Sequence, residues 1–115
     1  MSSFTSVLYS ILGERIKNRR EEMGYSQQQL AEFISSTYEL KRSSISNIER
    51  GRQQPPLHII YEICKVLKFD VQMILPTYSE VQKKVDFEND SNIESFISKL
   101  DIDQKTLREI RKHLK

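Results

Sequence analysis

Two short segments, Ser26-Gln27-Gln28-Gln29-Leu30-Ala31 and Ser44-Ile45-Ser46-Asn47-Ile48-Glu49-Arg50-Gly51, constrain this chain more than any other feature in it. The first opens on Ser-x-x-Gln, the spacing at which a serine hydroxyl and a glutamine amide satisfy backbone N–H groups left unpaired at a helix start. Leu30, Ala31, Phe33 and Ile34 then supply an apolar face. The second reads as a helix from about Arg42 to Arg50, with Ile45 and Ile48 turned inward. Gly51 ends it, because glycine accepts the left-handed backbone of a helix terminus. The short Ala31 side chain lets the two helices cross closely, with Ile45 as the expected contact. The alternative is that Ala31 is simply a good helix former.

The flanking chain supplies the rest of a core. A helix is expected from about Tyr9 to Met23, with Leu8, Leu12, Ile16 and Met23 on or near one side and Gly24 as its stop. Pro55-Pro56 sets the entry to a further helix, since proline is tolerated in a first turn and not inside. Ile59, Ile60, Ile63, Val66 and Leu67 form its buried stripe. Asp70 is positioned to cap a short helix, Val71 to Leu75, before Pro76 interrupts the chain. Beyond that, Ser79-Glu80-Val81-Gln82 is a candidate cap for a weak helix, and the polar run Asp86 to Asn92 reads as a hinge. Ile93, Phe96, Ile97 and Leu100 repeat at i, i+3, i+4, i+7, and Leu107, Ile110 and Leu114 repeat after the Asp101-Ile102-Asp103 turn, as in a helical hairpin. Helices this short depend on packing, so something must cover those stripes.

Composition removes several function classes. A chain of 115 residues, 37% apolar and 30% charged, suffices for one small core with an appended element. No run approaches the roughly 18 to 20 apolar residues of a membrane span, and the first basic residue is Arg15, so a cytoplasmic protein without a membrane role is expected. Cys64 is the only cysteine, which rules out an internal disulfide and reads as a buried, inert thiol. His58 and His113 lack carboxylate or thiol partners at ligand spacing, so no metal is expected, and no cofactor either. With no glycine-rich phosphate loop and no nucleophile paired to a base, enzymatic activity is not expected.

A net charge of +2 says little about partners, but its distribution says more. Between Lys41 and Arg52 stand four bases, Lys41, Arg42, Arg50 and Arg52, against one acid, Glu49. After Pro76, eight bases and eight acids cancel.

From roughly Leu12 to Leu75 these residues resemble the phage-repressor/Cro-type (Xre) helix-turn-helix family. The resemblance implies an all-α fold, a five-helix lambda-repressor-like DNA-binding domain over residues 8–76, to which the pattern beyond Pro76 adds a linker with a possible short helix over 77–92 and a C-terminal helical hairpin over 93–115. It implies double-stranded DNA as the partner and, from the family's pattern, a glutamine opening the second helix that braces both the DNA backbone and the third helix. Gln27 occupies that place and Gln28 is its neighbouring candidate. Arg42, Ser43, Ser46 and Asn47 would face the major groove, where arginine reads guanine and asparagine reads adenine. The competing readings are a phosphate contact or solvated helix end for Arg42, and a surface cap for Asn47. Arg50 and Arg52, with Lys41, would contact phosphate without reading sequence. The resemblance also pairs Arg20 with Glu49 as a structural, partly buried ion pair. One departure stands out. The interval from Leu30 to Ile45 is longer than the family's, and Ser35 replaces the usual turn glycine, so the turn is enlarged within 35–40 and Thr37, Tyr38 or Lys41 could touch phosphate.

The function expected on these grounds is sequence-specific transcriptional regulation, as a repressor that binds a pseudo-palindromic operator as a homodimer. Ile93, Phe96, Ile97, Leu100, Leu107, Ile110 and Leu114 would then form the dimerisation element. The alternative is an antitoxin-like interaction module whose C-terminal helices engage a protein partner and whose DNA binding is autoregulatory.

Overall fold

In the computed structural model, which describes residues 2–35 and 39–99 together with Arg108, Arg111 and Lys112, the chain enters its first helix at Ser3. The Ser3 hydroxyl accepts the Ser6 N–H at 3.1 Å, and the Ser6 hydroxyl accepts the Ser3 N–H at 3.2 Å. This reciprocal cap opens α1 (Phe4–Glu22) more than a turn before the expected start near Tyr9. The expected boundary followed the apolar spacing of the main core, and the first turns of α1 serve a different neighbour.

Four helices then follow in the expected order. Ser26 caps α2 (Gln27–Ser35): its hydroxyl accepts the Gln29 N–H at 3.0 Å, while the Gln29 amide oxygen accepts the Ser26 N–H at 2.8 Å. After the enlarged turn comes α3 (Arg42–Glu49), ended by Gly51 at φ 73°. Pro55 and Pro56 lead into α4 (Leu57–Leu67), and α5 (Val71–Ile74) closes the unit. Asp70 stands at the N-cap of α5 with extended backbone, but its carboxylate makes no capping hydrogen bond. The Met73 N–H goes to the Asp70 backbone carbonyl instead, at 2.9 Å, so this single-turn helix forms without the expected side-chain cap.

The five helices enclose one core of Leu12, Ile16, Leu30, Ala31, Ile34, Ile45, Ile48, Ile59, Ile60, Ile63, Cys64, Leu67 and Ile74. Eight of these thirteen residues are isoleucine, stiff at χ1 and therefore well defined in a close-packed interior. Phe33 does not join them. It is 49% exposed and meets Tyr25 edge-on, with ring centroids 5.2 Å apart. Burial in the core pushes the Cys64 thiol above its usual range, reinforced by the negative charge of Asp70.

The largest departure from expectation lies past Pro76. In place of a linker over 77–92 with a hinge at Asp86 to Asn92, the chain forms a continuous helix, α6 (Tyr78–Lys99). Its cap is Thr77 rather than Ser79: the Thr77 hydroxyl accepts the Glu80 N–H at 3.1 Å, and the Glu80 carboxylate accepts the Thr77 N–H at 3.2 Å. Val81 and Val85, four residues apart on one face, bury against Val7 of α1, with Phe4, Leu8 and Ile11 packed around them. Arg15 pairs with Glu80, and the Ser2 N–H reaches the Asn89 side-chain oxygen at 3.2 Å. A capped helix anchored by buried valines can propagate through a polar stretch whose local preference is weak, because packing overrides propensity. The first arm of the expected hairpin, from Ile93, is thus the continuation of α6. Its turn and second arm fall within 100–115 and, apart from Arg108, Arg111 and Lys112, lie outside the described residues.

Candidate nucleic-acid interface

Helix α3 presents its polar side outward because its apolar side is fully committed. Ile45 and Ile48 are buried, while Lys41, Arg42, Ser43 and Arg50 are exposed and Ser46 and Asn47 half-buried. The four base-reading candidates thus lie on one helix of eight residues, clear of the core. Arg42 also lines a shallow depression with Arg20, Ser26, Gln27 and Gln28, where the starts of α2 and α3 approach each other.

What holds α3 in place is a buried ionic network. Arg20 is 8% exposed and Glu49 7%, and the guanidinium donates to both carboxylate oxygens, at 2.6 Å from Nε and 3.0 Å from a terminal nitrogen. Its other terminal nitrogen donates to the Tyr25 carbonyl at 2.8 Å, which ties in the turn between α1 and α2. The Gln27 amide donates to Glu49 Oε1 at 3.1 Å. The hydrogen bonds from Arg20 to Glu49 raise the arginine pKa further, against the opposing effect of burial, so the charge is retained. The pairing of Arg20 with Glu49 and the reach of Gln27 to α3 are therefore both present. Gln28 instead turns along its own helix and donates to Glu32 at 3.0 Å.

A second constraint on α3 is steric. A Cβ on Gly13 of α1 would lie 2.3 Å from the Ile48 carbonyl oxygen and 2.6 Å from that of Glu49. The backbones of α1 and α3 are in contact there, closer than any other residue type permits. Gly51 is placed similarly, where an added Cβ would be 3.0 Å from Ser10 Cα. The chain then doubles back on α3, with the Arg52 and Gln53 N–H groups donating to the Asn47 carbonyl at 2.9 and 3.2 Å. That turn carries exposed Arg50 and Arg52 beside the outward face of α3.

The enlarged turn is bridged at its ends. The Ser35 hydroxyl donates to the Ala31 carbonyl at 2.7 Å and accepts the Leu40 N–H at 3.2 Å, so Ser35 fastens the point at which the chain returns toward α3. Thr37 and Tyr38 lie outside the described residues. Of the dimerisation candidates, Ile93, Phe96 and Ile97 fall in the distal part of α6, and Leu100, Leu107, Ile110 and Leu114 lie outside the described residues. Sequence reasoning passed over Gly13. The signal was available, because a glycine inside a helical pattern costs about 1 kcal/mol against alanine and calls for a packing reason.

Comparison with solved structures gives the same architecture. The restriction-modification controller protein C.AhdI from Aeromonas hydrophila matches at 25% identity over 58% of this chain and 96% of its own, with a TM-score of 0.53. The DNA-binding domain of BldD matches at 25% identity over 66% of this chain and 100% of its own, with a TM-score of 0.54. The clp gene regulator ClgR from Corynebacterium glutamicum shares the fold at 19% identity, over 78% of this chain and 88% of its own, with a TM-score of 0.57. Comparison with curated proteins yields no match. The family model described as Helix-turn-helix matches residues 16–74, just over half of the chain, and spans the Arg20–Glu49 network and every base-reading candidate on α3. The chain belongs to the Cro/C1-type helix-turn-helix family of DNA-binding transcriptional regulators.

Proposed function

We propose that this protein is a sequence-specific repressor that binds a pseudo-palindromic operator as a homodimer, with α3 in the major groove of each half-site. The observation that carries this reading is the combination of a polar, outward face on α3 with a helix locked from behind by Arg20, Gln27 and Glu49. A reading helix must hold its angle to the core if its side chains are to meet base edges in register. Arg42 is assigned to a guanine, Asn47 to an adenine, and Ser43 and Ser46 to neighbouring base edges. Lys41, Arg50 and Arg52 are assigned to phosphates, as are Gln27 and Gln28 beside the depression and Thr37 in the enlarged turn.

The dimer is assigned to the chain beyond residue 90. Helix α6 spans 22 residues, about 33 Å, and Asn89 already meets Ser2 at the far end of α1. The distal residues of α6 include Ile93, Phe96 and Ile97, with Leu100 next in the same apolar repeat, a pattern suited to a second copy. Selection of bound duplexes from a random DNA pool by the full-length protein tests the reading. An enriched inverted repeat with half-sites about 34 Å apart is the expected result. Failure to enrich any motif would overturn it and favour the alternative in which a protein partner is the primary ligand.

A further inference from the structure

The first turns of α1 have two neighbours, and one of them carries the proposed phosphate contacts. On one side Phe4, Val7, Leu8 and Ile11 receive Val81 and Val85 of α6. On another, the backbone at Tyr9 and Ser10 is met by Gly51, where an added Cβ would be 3.3 Å from the Tyr9 carbonyl carbon and 3.0 Å from Ser10 Cα. Gly51 belongs to the turn that presents Arg50 and Arg52. This arrangement gives α6 a line of contact to the DNA-facing surface that does not pass through the main core.

We infer that α6 is a positioning element for the turn 50–53, acting through the first half of α1; the inference rests on the assignment of Arg50 and Arg52 to phosphates. Three features support it. Among the described residues, the cluster joining α6 to α1 has Val7, Val81 and Val85 as its buried members and is separate from the main core, so α6 can leave while that core persists. The first two turns of α1 are supported mainly by α6: Phe4, Val7, Leu8 and Ile11 belong to that small cluster, and of this stretch Tyr9 packs on the main core. Contact between Gly51 and Ser10 is backbone to backbone, so it cannot be preserved by a side chain changing rotamer when α1 frays. Loss of α6 therefore loosens the start of α1 as far as the Tyr9 anchor, weakens the backing of Gly51 at Ser10, and frees Arg50 and Arg52 from the geometry in which both reach the DNA backbone together. A ligand or second subunit that pulls on the distal part of α6 would act on DNA affinity by this route.

The Arg15–Glu80 pair offers a test in which the fold supplies its own control. In full-length protein, Arg15→Glu and Glu80→Arg each place like charges at the joint, and the double exchange restores opposite ones. Hydrogen exchange is read at the Gly51, Arg52 and Gln53 amides, which donate to Ile48 and Asn47 carbonyls. Salt-dependent binding is read on a half-site duplex, so that dimerisation does not enter. Each single variant is expected to accelerate exchange at 51–53 by at least about tenfold, leave α4 amides protected, and flatten the slope of log affinity against log salt by about one to two, the loss of one or two phosphate contacts. The double variant, which restores the ion pair but not the Glu80 carboxylate that accepts the Thr77 N–H, is expected to bring both back part of the way relative to Glu80→Arg. Val85→Ala, which trims the cluster without charge, is expected to move exchange in the same direction and serves if either reversal unfolds the chain. Unchanged exchange at 51–53 in variants whose α6 has become unprotected overturns the inference. If the wild type binds no duplex, the assignment of Arg50 and Arg52 fails, while exchange still decides whether α6 supports the turn.

Discussion

Replacing Gly13 by alanine should destabilise this protein, although inside a helix that exchange is ordinarily favourable. On helix propensity alone Gly13→Ala gains about 1 kcal/mol. Against that, the new Cβ would stand 2.3 Å from the Ile48 carbonyl oxygen, 2.6 Å from that of Glu49 and 2.8 Å from the Glu49 carbonyl carbon. None of these is the end of a flexible side chain, so relief requires α1 and α3 to separate by about 1 Å to regain ordinary contact distance. Overpacking of this kind costs about 1 to 3 kcal/mol, and here it also stretches the hydrogen bonds of Arg20 to Glu49, already at 2.6 and 3.0 Å. Less the propensity gain, overpacking alone leaves about 0 to 2 kcal/mol, and the stretched ion pair moves the expectation to the upper part of that range, a loss of about 1 to 2 kcal/mol, which for a domain of this size lowers Tm by roughly 4 to 16 °C. Thermal and urea melts followed by circular dichroism measure it, and duplex binding well below Tm should weaken beyond what the fraction unfolded explains, because α3 is displaced. A Gly13→Ala protein that melts at or above the wild-type temperature would refute the backbone contact.

Glu49→Ala should be among the most destabilising single substitutions, toward the lower end of about 3 to 5 kcal/mol, since it leaves the buried Arg20 guanidinium with the Tyr25 carbonyl and a long 3.9 Å contact to Glu21; a melt that matches wild type would show the pair to be dispensable. Arg42→Ala should relax preference at one operator position, whereas Arg50→Ala should weaken all sequences about equally and reduce the salt slope by about one, as read by binding to a panel of duplex variants. Hydrogen bonds from Arg15 and from the Thr77 backbone hold the Glu80 carboxyl below its ordinary range, so its contribution to docking α6 is present above that range and lost as pH falls through the lowered value. Acid titration should therefore release the start of α6 in the wild type, and in Glu80→Gln the same amides should be insensitive to pH over that interval. Cys64, buried with its thiol pKa raised, should react with a thiol reagent at the rate of unfolding, so a fast phase in native buffer would contradict its burial.

The parts of this fold that were legible in the sequence are those where one residue type has one physical use. Ser26 and Gln29 announce a cap by spacing alone, and they form it. Ile45 and Ile48 fix the inner face of α3, which leaves its outer face by subtraction. The pairing of Arg20 with Glu49 followed from the family resemblance and could not have been read from two charges so far apart in sequence. Elsewhere the signals were ambiguous. Asp70 has a capping side chain at a capping position and leaves it unused, because a one-turn helix is held by its packing. Phe33 extends the apolar face of α2 in sequence yet finds its partner in Tyr25 at the surface. The helical state of 86–92 was illegible because it depends on Val81 and Val85 meeting Val7, a contact between segments more than seventy positions apart.

Ser35 bears on what this domain can tolerate. Its hydroxyl meets the chain again at Leu40, so the two ends of the enlarged turn are clasped independently of what lies between them. A clasp of this kind separates the length of a loop from the aim of the helix that follows it. Lengthening a loop already closed at its base adds only a small entropic penalty, with about 0.6 kcal/mol for each doubling. The interval between Ser35 and Leu40 is therefore a place where residues can be added or a tag inserted while α3 keeps its bearing on the core. Such a site lets the surroundings of α3 vary in length and chemistry while the helix itself stays fixed.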